Sequence, residues 1–396
     1  MVDILILCSL LFAFFSVVYI GIILFLLRGL LSLRPYNEQK EHTFSVVIAA
    51  RNEESNLRAC LDNVLNQSID RGRYEVILVD DRSEDATLAI ALEYVENFEN
   101  MKVIRIEDVP DGLSPKKHAV SQGVKLAEHE IVVFTDADCI VPRDWLVSIN
   151  KTFGETTGLV QGITKYSFTN GMNKAFWGLQ AVDFLSHGIV AAAAIGANLP
   201  INSNANNFAF RKDAFGEIGG YGTDNAKVVS GDDDLLLQKI WKSKKWKIRF
   251  MIDRTAAVTT LPTSTMRGVL EQRKRWGSKT VHYNPLQVAL LSGIFLFYLS
   301  ICGSLICGLF FPYCLLWTLA LIILKTVGEM LLMIPGTRIF HQVNLRKWLL
   351  VASLLQLPLV LFAVFAGVFG KFRWKGQKFE RVIRKNGKKT IPEKRM

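Results

Sequence analysis

Asp136-Ala137-Asp138 follows the apolar run Glu130–Thr135. Alternate residues leaving a strand can bring one carboxylate to a metal and the other to a metal-bound group. A hard cation such as Mg²⁺ or Mn²⁺ prefers carboxylate oxygens together with phosphate oxygens. There it would neutralise a departing diphosphate. Two further polar clusters share this placement after apolar runs: Arg51-Asn52-Glu53-Glu54 and Asp80-Asp81-Arg82-Ser83. Each also has a plainer reading. Asn52 and Ser83 suit helix N-caps, and Asp80 suits a turn. An isolated Asp-x-Asp is a weak motif. Its weight comes from the elements that hold it.

Those elements read as alternating strands and helices. Phe44–Ala50, Tyr74–Val79, Lys102–Ile106 and Glu130–Thr135 are short β-branched runs. Between them, Glu54–Gln67, Ala86–Phe98 and Lys117–Leu126 carry helical spacing, as in Leu57, Cys60, Leu61, Val64 and Leu65. The pattern implies a parallel sheet covered by helices on both faces. Ligands of such sheets bind at the carboxyl ends of the strands. All three acidic clusters would meet at that edge.

Half of the 396 residues are hydrophobic, which is high for a soluble protein of this size. Ile4–Leu27 is 24 residues without a charge. At about 1.5 Å per residue it covers ~36 Å, more than a ~30 Å hydrocarbon core. The run is long for a cleaved signal, and Asp3 rather than a basic residue precedes it, so residues 1–28 read as an anchor. A second apolar block, residues 285–370, divides into about Leu286–Phe310, Tyr313–Ile334 and Leu349–Phe369, two or three spans. The segment 42–282 between them has ordinary globular composition. The formal charge is +11, and the tail 371–396 holds eleven Lys/Arg against Glu380 and Glu393. A basic tail beside a span suits anionic headgroups better than nucleic acid. The six cysteines form no CxxC pair, so neither a zinc site nor a disulfide framework is expected.

VVIAARNEE, VDDRSEDAT, FTDADC, SGDDDLLLQ and QRKRW, in this order, resemble the family-2 glycosyltransferases of GT-A fold. The membrane-integrated members include cellulose, hyaluronan and poly-N-acetylglucosamine synthases and ceramide glucosyltransferase. The resemblance covers about Phe44–Trp276. It implies an α/β GT-A domain, a Rossmann-like sheet that takes nucleotide-diphospho-sugars, joined to transmembrane α-helices. It implies an enzyme, with Asn52, Glu53, Asp80, Asp81, Lys117 and Asp136 around the nucleotide sugar, a UDP-sugar favoured. Asp136 and Asp138 match the metal pair, for Mg²⁺ or Mn²⁺. Gly231-Asp232-Asp233-x-x-Leu236 matches the pattern that places the catalytic base at Asp233, with Asp232 beside it, although the family more often has Glu-Asp. A direct displacement needs such a carboxylate to take the acceptor hydroxyl's proton. The same run also suits a helix N-terminus. Gln272, Arg275 and Trp276 match the QxxRW motif at the acceptor and diphosphate. Without the other motifs, this stretch would read as a basic amphipathic helix on the membrane surface.

The Asn-rich stretch from Asn202 to Asn207 is read either as acceptor-site loop or as turn chemistry. Lys325 and Glu329, four residues apart in a span, are expected to pair; a transport pathway is the alternative. A multi-pass protein of the cell membrane with a cytosolic catalytic domain follows from cytosolic nucleotide sugars and from Arg28, Arg34 and Lys40 after the anchor. Three full C-terminal spans would export the basic tail, against the positive-inside rule. One apolar segment is therefore expected to be interfacial or re-entrant. The function implied is inverting sugar transfer to a membrane-associated acceptor, a lipid or a growing polysaccharide. The alternatives are a processive synthase with export, a non-catalytic scaffold, which would show gaps in the motif set, or a transporter.

Overall fold

The structure is a computed structural model that describes residues 2–110, 113–220, 232–278 and 283–369, and two short strands at 372–374 and 377–379. The Asp232 side chain and, those strands apart, the basic tail lie outside the described residues.

The expected alternation opens the globular part. Strands β1 (Phe44–Ala50), β2 (Tyr74–Asp80), β3 (Met101–Arg105) and β4 (Ile131–Phe134) are interleaved with α2 (Leu57–Val64), α3 (Thr87–Asn97) and α4 (Pro115–Leu126). Helix α1 (Val2–Ser32) precedes them. β1 pairs in parallel with β2 and β4, and β2 with β3. Side chains alternate between the two faces of each strand. Val46, Ile48, Val76 and Leu78 pack with Leu57 and Leu61 of α2. Val47, Ile77 and Val79 pack with Ala119, Val120 and Val124 of α4. These strand residues are fully buried, each contributing about 1.5–3 kcal/mol of apolar burial.

The second half departs from an all-parallel sheet. α5 (Trp145–Thr152), β5 (Thr157–Gln161), β6 (Thr164–Tyr166), α6 (Lys174–Gly196), β7 (Phe208–Arg211), α7 (Lys212–Glu217), α8 (Asp232–Ser243), β8 (Lys247–Phe250) and β9 (Val258–Thr260) follow. The seven-stranded sheet runs β3-β2-β1-β4-β7-β5-β8. β7 is antiparallel to both β4 and β5. An inserted antiparallel strand starts where its parallel neighbour ends. Phe208, the first residue of β7, therefore lies opposite Phe134, the last of β4. The loop before β7 is thereby brought to the edge that carries Asp136 and Asp138. β6 and β9 form a separate two-stranded sheet.

Helices α9 (Met266–Ser278), α10 (Pro285–Phe310), α11 (Cys314–Ile339) and α12 (Leu349–Phe369) complete the described fold, followed by the strand pair β10 (Phe372–Trp374) and β11 (Gln377–Phe379). Among the described residues, five helices are long and apolar enough to cross a membrane: α1, α6, α10, α11 and α12. α6 is an addition to the sequence reading. Its hydropathy is the lowest of the five, 1.4, and two thirds of it is buried inside the protein. Small residues let α1 approach it: Gly29 lies against the Ala193 backbone, and Gly196 against the Gly29 carbonyl. α9 and α12 meet in the same way. A Cβ on Gly367 would stand 2.8 Å from Gly277 C and Ser278 N.

Lys325 and Glu329 form an ion pair, Nζ–Oε1 2.6 Å, within α11. Lys325 Nζ also donates to the Ser353 carbonyl (2.6 Å), and the Ser353 hydroxyl donates to Glu329 Oε2 (2.5 Å). The Tyr298 hydroxyl donates to Glu329 Oε1 at 2.7 Å. The pair thus has the partners a buried charge requires.

Candidate active site

The carboxyl edge of the sheet gathers side chains from distant parts of the chain. Asn52 and Arg82 have positive φ, 53° and 57°, so the chain turns sharply after β1 and near β2. Asn52 N–H donates to Ser83 Oγ (3.0 Å), and Asn52 Oδ1 accepts from Glu84 N–H (2.9 Å). The two loops are therefore stitched together by Asn52. Glu53 N–H donates to Thr87 Oγ1 (2.8 Å), and its carboxylate accepts from Asn56 Nδ2 (2.9 Å). Asp80 is fully buried, with Arg105 Nε 3.8 Å from Oδ2, and Asp81 pairs with Arg82 at 2.9 Å.

Past β4 the edge opens into a cavity of ≈ 400 Å³. Asp136, Asp138, Asp233, Gln272, Arg275 and Trp276 all line it. Asn52, Glu53, Asp80 and Asp81 are not on its wall but along the neighbouring stretch of the same edge. Lys117 is buried, whereas its neighbour Lys116 lines the cavity and pairs with Asp136, Nζ–Oδ1 2.7 Å.

Negative charge is crowded here. Burial, then the Asp136 and Glu53 carboxylates, push the Asp138 carboxyl up to about 6. Like charges in a half-dry site disfavour one another's ionised forms, and a cation relieves this. Among the described residues, no group of three or more His, Cys, Asp or Glu is arranged to hold a metal by itself. Two carboxylates fit a different kind of site, in which Mg²⁺ or Mn²⁺ takes its remaining oxygens from a diphosphate and water.

Asp233 and Asp234 open α8 and hold the loop before β7. Asp233 Oδ2 accepts from Ala205 N–H (2.9 Å), and Asp234 Oδ1 from Ser203 N–H (2.5 Å). Asp234 Oδ2 accepts from the Tyr283 hydroxyl at 2.9 Å. Burial and Asp234 push the Tyr283 phenol well up, so it stays protonated and donates. Asp233 faces the cavity, while Asp234 is fully buried behind it. The Asn-rich loop divides likewise. Asn202, Asn204 and Asn206 line the cavity. Asn207 is buried, accepting from Trp145 Nε1 and donating to the Ile163 and Ala256 carbonyls.

Helix α9 presents its motif from the far wall. The Gln272 amide oxygen accepts from the Tyr166 hydroxyl at 3.4 Å. Trp276 is held on two sides, by the Arg273 guanidinium 4.0 Å from its ring centroid and by the edge-on His187 ring at 5.0 Å. Arg273, 4% exposed, is ion-paired with Asp183 of α6. Burial lowers its guanidinium to about 10. Sequence reasoning missed Lys116, Tyr166, Asp183, His187, Arg273 and Tyr283. One signal was present: Asp183 is the single acidic residue in the apolar stretch 174–200.

Comparisons with known proteins agree with this architecture. Residues 45–218 match the profile of glycosyl transferase family 2. The glycosyltransferase AglE of Haloferax volcanii is 30% identical over 128 residues, 32% of this chain and 41% of that one. The beta-monoglucosyldiacylglycerol synthase of Trichormus variabilis is 28% identical over 257 residues, 63% of this chain and 52% of that one. The chain thus spans about half the length, or less, of these relatives. Among solved structures, the mannosyltransferase PcManGT from Pyrobaculum calidifontis, in complex with GDP-Man and Mn²⁺, superposes with a TM-score of 0.58 at 17% identity. That match covers 91% of this chain and 99% of the mannosyltransferase, and it establishes the fold. Residues 45–218 of this chain belong to glycosyl transferase family 2, and the chain has a GT-A-like fold.

Proposed function

We propose that the chain transfers a sugar, with inversion, from a nucleotide-diphosphate sugar to an acceptor held at the membrane. The observation that carries this reading is one cavity shared by polar and apolar walls. Asp136, Asp138 and Asp233 stand on one part of its wall, and Leu359, Val360, Ala363 and Val364 of the apolar α12 on another. A polar donor and a membrane-embedded acceptor can meet there.

Asn52, Glu53, Asp80 and Asp81 would hold the nucleotide at the adjoining edge. A UDP-sugar is favoured by the family resemblance alone. Asp136 and Asp138 would hold Mg²⁺ or Mn²⁺, which supplies positive charge for the departing diphosphate; Mn²⁺ accompanies GDP-Man in the mannosyltransferase of like fold. Lys116 stands beside Asp136, and Arg275 lines the same cavity from α9, so both can meet phosphate oxygens. Asp233 takes the acceptor's hydroxyl proton. Backbone N–H groups of Ala205 and Asp234 hold its two carboxylate oxygens and fix its direction. Trp276 offers an apolar ring face to sugar or acceptor. UDP binding to the purified full chain, followed calorimetrically, is expected to require Mg²⁺ or Mn²⁺ and to fall at least tenfold with EDTA. Binding indifferent to chelation would contradict the metal reading.

The globular part would face the cytosol, where nucleotide sugars are. α12 fits the segment that does not cross. Trp348, just before it, packs on Gly178 of α6, and Ala363 and Gly367 near its end pack on Gly277 of α9. Both ends therefore lie against elements of the globular side, which would return the basic tail to the cytosol. An impermeant thiol reagent is expected to label a cysteine introduced in the tail only after cells are permeabilised. Labelling in intact cells would reverse this topology.

A further inference from the structure

The turn between α10 and α11 is flanked by two cysteines, Cys307 in the last turn of α10 and Cys314 at the start of α11. Their sulfurs lie 3.2 Å apart. Two features hold them there. The helices approach closely because Gly308 has no side chain: a Cβ on it would stand 3.4 Å from Leu315 N. About one turn deeper, Ser304 Oγ and Thr318 Oγ1 lie 2.9 Å apart, a second rung that fixes the register of the two helices. Cys8 of α1 is also within hydrogen-bonding reach of Cys307. Among the described residues, no group of three such side chains is arranged to hold a metal. Thiol chemistry remains.

Charge and length point to the compartment. Residues 280–324 hold no Lys, Arg, Asp or Glu, whereas Arg28 and Arg34 lie at or after the end of α1, and Arg338, Arg346 and Lys347 at or after the end of α11. The positive-inside rule favours the non-cytosolic side for so bare a turn. α10 and α11 have 26 residues each. By helical rise each is about 39 Å long, more than a ~30 Å hydrocarbon core, so the ends reach the interface. Phe310 and Tyr313 are exposed at the turn, as in an aromatic belt. Disulfides form and persist on the non-cytosolic side and are rare in the cytosol.

We propose that Cys307 and Cys314 form a disulfide that closes the outer end of the α10–α11 hairpin. This rests on the topology proposed above, in which the globular part faces the cytosol. The oxidant is an exchangeable disulfide, R–S–S–R, of the outer compartment. Cys307 is partly exposed and Cys314 is buried, so Cys307 attacks first. Its thiolate forms a mixed disulfide and releases one R–S⁻. The Cys314 thiolate then attacks Cys307 Sγ and releases the second R–S⁻. The two cysteine protons end on the two released thiols, so two thiols are oxidised as one disulfide is reduced. The sulfurs need to close by only about 1 Å to reach bonding distance. The bond joins the ends of an eight-residue segment, Cys307 to Cys314, and keeps the two helix ends together even when their packing loosens.

The test uses the full chain in membranes prepared without reductant. Free thiols are blocked with iodoacetamide, and the denatured chain is cut with chymotrypsin, which can cleave after Phe310 and Tyr313, between the two cysteines. The expected result is two unalkylated fragments, one with Cys307 and one with Cys314, joined until reduction. Cys302→Ser should leave the linked pair intact, and Cys314→Ser should leave Cys307 alkylated. A separate variant locates the turn: Tyr313→Cys, in a Cys307→Ser/Cys314→Ser background, is expected to react with an impermeant maleimide in intact cells. If that probe reacts while Cys307 and Cys314 of the wild type stay alkylatable, even after oxidised glutathione is added, the disulfide is overturned and the topology stands. Alkylatable thiols together with a probe that reacts only after permeabilisation would trace the failure to the topology. A Cys8–Cys307 bond in place of Cys307–Cys314 would overturn the pairing.

Discussion

Asp233→Asn is expected to lower the transfer rate by about 10²- to 10⁴-fold, the usual contribution of a positioned general base. Binding of UDP should change less than about twofold, because the nucleotide residues lie along a different stretch of the sheet edge. Asparagine keeps an oxygen for the Ala205 N–H, so the loop before β7 has its anchor. Asp234→Asn separates chemistry from architecture. Asp234 is fully buried and accepts from Ser203 N–H and the Tyr283 hydroxyl. Its loss should depress the melting temperature more than the rate of bound substrate. Together with Asp232→Asn, these variants check the register across the triple Asp by single-turnover kinetics. Normal turnover in Asp233→Asn would remove the base from Asp233.

Asp183→Ala is the second large effect. Arg273 is 4% exposed and Asp183 13% in their side chains. Removing one partner of a buried pair leaves a charge without compensation and costs about 3–5 kcal/mol. The measurement is the melting temperature in detergent, together with transfer. The double variant Asp183→Leu/Arg273→Met should recover most of the melting temperature, since apolar replacement of a buried pair is often neutral or better. It should not recover transfer, because Trp276 would lose the guanidinium stacked 4.0 Å from its ring. Full recovery of both would make the pair structural only.

The first half of the sheet was legible from the sequence because β1, β2 and β4 are buried on both faces and so read as unbroken apolar runs, with turn chemistry after each. The second half was not. β7 is only four residues long, and nothing in Phe208–Arg211 announces that it runs antiparallel. Its direction matters to the site, since it brings Asn204 and Asn206 beside Asp136 and Asp138. α6 stayed hidden for another reason. Its alanines and Asp183 lower its hydropathy to 1.4, and most of it is covered by protein. For the site, the motifs carried Asp136, Asp138, Asp233, Gln272, Arg275 and Trp276 to one cavity. The residues that support them were invisible, because their roles depend on contacts across the chain. Arg273 meets Asp183 across 90 positions, and Tyr283 meets Asp234 across 49. Lys116 and Lys117 are adjacent, and only the helix geometry decides which one reaches the cavity.

The most direct measurement supplies the purified full chain with labelled UDP-sugars and GDP-mannose in the presence of Mn²⁺ and membrane lipids, then separates the products into organic and aqueous phases. Label is expected in the organic phase, on a lipid carrying a single sugar, with about a hundredfold less or lower still in the Asp233→Asn variant. Long water-soluble polymer would replace single transfer to lipid with processive synthesis. Label left wholly on the nucleotide with every donor, for the wild type, would contradict the account.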